Sequence, residues 1–133
     1  MKKIVSLIVI AICAVFPVNA QDPLNEFVKE MNKACPIVMD ETLTMSGVSI
    51  DNKDLTFEFK VAPSDFKDLQ DNKELFKSMM CDQFREMAKD DGLNALFGLI
   101  ILSNRGIKMV FRESNSTRSM TLRLNTQEVG DLL

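Results

Sequence analysis

Apolar positions recur along this chain with two periods, and the switches between them predict its elements. The chain opens Met1-Lys2-Lys3, runs apolar from Ile4 to Phe16, and passes through Pro17-Val18-Asn19-Ala20. A charged start, a short apolar stretch and the small residues Val18 and Ala20 are the three zones of a secretory signal peptide, with cleavage expected before Gln21. The apolar run is shorter than the roughly 20 residues a spanning helix needs, which disfavours an uncleaved anchor. Lipoprotein processing at Cys13 is disfavoured by Ile12, which stands where a small residue is expected. The expected organisation is a cleaved leader over 1–20 and a single domain over 21–133.

Asp22-Pro23 then opens a helix with a carboxylate cap and an early proline, and Leu24, Phe27, Val28 and Met31 follow at helical spacing. The predicted helix spans 22–34 and stops near Cys35, because Pro36 disfavours helical geometry in the residue before it. From Leu43 the period becomes two, through Met45, Val48 and Ile50, a polar turn Asp51–Asp54, then Leu55, Phe57, Phe59 and Val61. This is a β-hairpin with Thr56, Glu58 and Lys60 on its wet face and a bulge at Gly47. A short helix is expected from Pro63 to Leu69. A capping box from Asp71 to Glu74 then starts a longer helix whose apolar stripe is Leu75, Phe76, Met79, Met80, Phe84, Met87 and Ala88. Asp90-Asp91-Gly92 reads as its stop, with Gly92 as a left-handed cap.

Leu93–Leu102, interrupted only by Asn94 and Gly98, is a buried helix or strand by period alone; helix is the preferred reading, and core rather than a surface partner site. Ser103–Gly106 turns the chain into Ile107, Met109 and Phe111, and a turn over Glu113–Thr117 leads to Met120, Leu122 and Leu124. The order α-ββ-α(α)-ββ predicts an α+β fold: a four-stranded antiparallel sheet from two β-hairpins, with helices packed on one face.

The chain has no His, Trp or Tyr among its 133 residues, which removes Ser-His-Asp and Cys-His nucleophiles, His-ligated zinc and imidazole bases. Leader removal takes two lysines and no acid, moving the net charge from −3 to −5. Nucleic acid and anionic membrane surfaces are poor partners for such a chain. Cys35 and Cys81 remain, and in an oxidising compartment a Cys35–Cys81 disulfide is expected, stabilising by about 4 kcal/mol in the chain-entropy picture. A reactive thiol at Cys81 is the alternative, without a CxxC partner or a histidine to activate it.

Eight methionines survive cleavage, and Met79-Met80-Cys81 with Met31, Met39 and Met45 raises Cu(I) ligation. Their stripe and strand positions favour packing, with a partner groove as a secondary use. The acid pairs Asp40-Glu41 and Asp90-Asp91 could serve glycosidic cleavage but read as solvated decoration. No cofactor or metal is expected.

Asn32-Lys33-Ala34-Cys35-Pro36 with Asp40, Thr42 and Val48, then Leu55-Thr56-Phe57-Glu58-Phe59, Gly106-Ile107 and Val110-Phe111, resembles a pattern of small exported bacterial envelope proteins of unknown function. The resemblance implies an envelope protein of this layout and assigns no activity. The expected function is periplasmic or secreted, non-catalytic binding of a protein partner as an adaptor, inhibitor or immunity-type factor. The expected binding residues are Thr56, Glu58, Lys60, Lys108, Arg112, Thr121 and Arg123, or an edge strand open to pairing. The alternatives are a small envelope enzyme using carboxylates or a free cysteine, and a lipophilic-ligand module.

Overall fold

The structure is a computed structural model that describes residues 2–13 and 23–133. Its elements in chain order are helix α1 (Lys2–Cys13), α2 (Pro23–Ala34), strands β1 (Ile37–Val38), β2 (Leu43–Ile50) and β3 (Asp54–Val61), helices α3 (Pro63–Asp71), α4 (Lys73–Met87) and α5 (Asp91–Leu102), strands β4 (Gly106–Glu113) and β5 (Ser119–Leu124), and helix α6 (Thr126–Gly130). The expected cleavage junction at Ala20–Gln21 and the Asp22 cap lie outside the described residues.

The strands form one five-stranded mixed sheet in the order β1-β2-β3-β4-β5. This corrects the expected four-stranded antiparallel sheet. The two hairpins do form, but β3 and β4 run parallel, from Asp54 beside Gly106 to Val61 beside Glu113. Parallel neighbours require a long crossover, and the helical connection α3-α4-α5 between Val61 and Gly106 supplies it. The fifth strand, β1, pairs Ile37 with Met45 and Val38 with Thr44 just after a cis Cys35–Pro36 bond. With only two residues it has no period to read.

Alternation sorts the strand residues cleanly. Met45, Val48, Leu55, Phe57, Phe59, Ile107, Met109, Phe111, Met120, Leu122 and Leu124 are all buried, on the face that receives the helices. Phe111 stands at its centre. Its ring stacks on Phe59 with centroids 5.1 Å apart and takes the edge of Phe76 from α4 at 5.4 Å. Phe84 of α4 meets Phe97 of α5 edge-on at 5.4 Å, which joins the two crossover helices. Leu93–Leu102 is helix and core: Leu93, Leu96, Phe97 and Ile100 are buried, while Leu102 alone of its large residues is exposed.

Helix boundaries depart from expectation where side-chain caps compete. The capping box at Asp71 and Glu74 is not made: α3 continues through Asp71, and Asn72 separates it from α4. Gly92 is not a left-handed stop. The Asp90 carboxylate accepts the Gly92 N–H at 2.9 Å, so Asp90-Asp91-Gly92 begins α5 rather than ending α4. A capping box does form at Asn125 and Glu128, where each side chain accepts the other's backbone N–H, and it starts the unanticipated α6. The Gly47 bulge is present, with the β2–β3 register shifting between Met45 and Gly47.

Helix α1 lies against α4 and α5, burying Ile4, Val5 and Ile8, and Lys3 pairs with Asp40 at 3.0 Å. Among the described residues no helix is long and apolar enough to cross a membrane.

Candidate functional site

The sheet face turned away from the helices is built from three cross-strand rows. Register places Ser49, Thr56, Lys108 and Arg123 in one row, Gly47, Glu58, Val110 and Thr121 in the next, and Thr44, Lys60, Arg112 and Ser119 in the third. All seven sequence-predicted binding residues therefore share one surface, because period-two alternation forces every second residue of a strand to the same side. That surface spans four strands.

Its members are not equivalent. Lys60, Arg112 and Thr121 are exposed, and Lys108 and Glu58 are half-buried. Thr56 is only 7% exposed, so it forms the floor of the face and cannot offer contact area. Arg123 has a structural duty: its Nε donates to Asp54 Oδ1 at 2.8 Å. Asp54 is 5% exposed, and a carboxylate at that depth needs a compensating cation. The reach across β4 is possible because Gly106 between them has no side chain. Arg112 meets Glu58 at 3.4 Å on the open face, an exposed pair worth at most about 1 kcal/mol.

Two features bound this face. At one edge the Asn32 side chain accepts the Val48 N–H at 2.9 Å and donates to the Val48 carbonyl, so beyond β1 the β2 backbone is closed by an amide from α2. At the other edge β5 pairs only with β4, and Ser119, Thr121 and Arg123 point outward from it. Val110, Asp54 and Asn32 belong to the surface or its support and were missing from the predicted set. Asp54 was legible as the first outward residue of β3, and Val110 as an apolar residue at an outward position.

The remaining candidates are held in structural roles. Asp40 Oδ1 accepts from the Thr42 backbone N–H at 2.7 Å and the Thr42 hydroxyl at 2.9 Å. The Thr42 N–H first, and the Lys3 ammonium second, hold the Asp40 carboxyl down to about 2, which makes it a poor proton donor near neutrality. Asp90 is occupied as a cap. Neither acid pair lines the surface depressions beside α1, beside α3 or at the C-terminus. Cys35 and Cys81 are free thiols, without the expected bridge, and burial pushes both up, away from the nucleophilic thiolate. Met31, Met45, Met80, Met109 and Met120 are buried core residues, whereas Met79 lines the depression beside Val5. Among the described residues no group of three or more Cys, Asp or Glu is placed to hold a metal ion.

Asp40 gives a pH prediction with a definite sign. Its folded-state value lies below the ordinary carboxyl value near 3.9, so its stabilisation is complete above that pH and is lost as pH falls toward about 2. A chain reduced to 21–133 loses Lys3 but keeps the Thr42 donors. In that chain Asp40 titrates at higher pH than in the full chain, though still below its ordinary value. Carbon-detected NMR titration of the two chains checks this, and identical curves would contradict the docking of α1.

No protein-family model matches this chain, and no curated protein matches it. Among solved structures, the chain is similar to the 1.60 Å crystal structure of a "putative secreted protein" from Pseudomonas aeruginosa. The TM-score is 0.66 at 16% identity, over 85% of this chain and 99% of that one. At that identity the likeness shows a shared α+β fold.

Proposed function

We propose that this chain is an exported, non-catalytic binding protein that engages a protein partner through the open face of its sheet. The observation that carries the reading is the four-stranded outward face, where, among the described residues, Lys60, Arg112 and Thr121 stand exposed and Lys108 half-buried on one surface. A face left open by its own fold is the place where a partner can add area without unfolding anything. Export is supported by the leader-like start. It is also supported by the similarity in fold to a solved structure described as a "putative secreted protein". The raised thiols and the structurally occupied Asp40 and Asp90 weigh against the enzyme reading.

A photo-crosslinking residue in place of Thr121 tests this in cells exporting the protein. The expected result is one discrete adduct that disappears when Lys60→Ala and Arg112→Ala are added, with Tm changed by no more than about 3 °C because both side chains are exposed. The same residue in place of Lys73 on α4 should give no such adduct. An adduct only from position 73, or none from 121, contradicts the assignment of the face.

A further inference from the structure

We infer that the partner of the open sheet face is a protein that presents acidic side chains to it, carboxylates spaced to meet Lys60 and Lys108. The inference rests on the binding reading above and names the chemistry of the occupant.

Charge is segregated in this fold. The chain as a whole is acidic, with 19 acids against 16 bases, and between Pro63 and Leu102 the crossover helices carry eight acids against five bases. The outward face reverses the sign: Lys60, Lys108, Arg112 and Arg123 share it with Glu58 and the buried Asp54. Arg112 is engaged by Glu58 and Arg123 by Asp54. Lys60 and Lys108 have no ion pair among the described residues; Lys108 feels Asp51 of the β2–β3 turn only through space. They sit in opposite outer rows, four strand residues apart on neighbouring parallel strands, which sets them about 13 Å apart along the sheet.

The middle row decides which class of anion fits. It holds Glu58, Val110 and Thr121: one fixed negative charge, one apolar side chain and one hydroxyl. A run of phosphates crossing the face would meet Glu58 and gain nothing from Val110. A folded protein surface has separated acids, an apolar patch and a cation or donor between them, and so matches all three rows. Two single ammonium groups also suit individual carboxylates, whereas phosphate recognition favours the forked guanidinium, and both arginines are already engaged.

The probe is a fluorescein-labelled, C-terminally amidated Glu-Ser-Val-Ser-Glu peptide, whose carboxylates lie four extended residues apart with an apolar residue between them, followed by anisotropy at 0.1 M salt, where the Debye length of about 10 Å screens distant charges. Lys60→Glu with Lys108→Glu should weaken binding at least tenfold. Lys67→Glu with Lys73→Glu, on the helix layer and of the same net charge, should change it less than twofold. Glu58→Gln should strengthen it. Should the first pair of changes lower Tm, Lys60→Ala with Lys108→Ala replaces it, with a smaller loss expected. Equal losses from both double variants, no binding by the unmodified chain, or equal or tighter binding to phosphatidylglycerol vesicles overturns the inference. A Thr121 adduct that survives the Lys60→Glu, Lys108→Glu change sinks the acidic partner while leaving the face as the binding surface; absence of the adduct sinks the binding reading itself.

Discussion

Phe111→Ala is expected to cost about 3–5 kcal/mol of folding stability, far more than any single change on the open face. The ring is fully buried, stacked on Phe59 across the parallel β3–β4 pair and met edge-on by Phe76 of α4. Removing it deletes two aromatic contacts and leaves a void that cannot close easily, because one wall is a sheet held on both sides by ladders and the other is a 15-residue helix. Against a total of about 5–15 kcal/mol this is a large fraction, and Tm should fall by roughly 15 °C. Leu75→Ala, at a helix position 53% exposed, should change stability by less than about 0.5 kcal/mol. Urea unfolding of the two variants checks the pair. A loss below about 1 kcal/mol for Phe111→Ala would contradict the central position of that ring.

Gly106→Ala is expected to cost about 2–3 kcal/mol for a different reason. The added methyl would run into the Leu124 backbone carbonyl and stand 3.0 Å from Asp54 Oδ1 and 3.1 Å from Arg123 Nη2. The carbonyl belongs to the β4–β5 hairpin and cannot swing aside as a flexible side chain would. The Asp54–Arg123 pair must part or the hairpin must shift, and either leaves a buried carboxylate short of its cation. Gly98→Ala should have the opposite sign. Nothing lies within 4 Å of a Cβ at that helical position, so alanine should add about 0.5–1 kcal/mol through helix propensity alone. Thermal unfolding of the two glycine variants separates them by direction. A neutral Gly106→Ala would mean that Arg123 does not cross β4 to Asp54.

These residues show what the sequence made legible. Alternation assigned Phe57, Phe59, Met109, Phe111, Leu122 and Leu124 to one face and all seven candidate binding residues to the other, because that assignment needs only the period of a strand. Strand direction was not legible by the same means, since parallel and antiparallel neighbours show identical alternation when one face is wet. The signal that could have found the parallel pair was the long helical connection between Val61 and Gly106, which can return the chain to the end of the sheet from which β3 starts. Local polar chemistry was harder still. Asp90 could cap the helix behind it or the one ahead, and Asn125 with Glu128 spelled a capping box before a helix of five residues, too short to show a stripe.

The division of labour on the open face was likewise beyond the sequence. Nothing in the spacing of Arg123 and Asp54 says that they meet, because the contact runs diagonally across β4, from the partner of Lys108 to the partner of Gly106, over the space a Gly106 side chain would fill. That pair gives the exposed Arg123 a supporting role alongside the buried Thr56, whereas Lys60, Lys108, Arg112 and Thr121 face outward with no buried charge to hold.

Amine acetylation of the exported protein, read residue by residue with mass spectrometry, tests most directly whether the open face is used. Lys60 on the face and Lys67 on α3 are both exposed lysines of the isolated fold and should be labelled at comparable rates in the purified protein. In the intact cell envelope, Lys60 should be labelled several-fold more slowly than in the purified protein, while Lys67 keeps its rate. Equal labelling of Lys60 in both settings, or protection of Lys67 instead, would contradict the account.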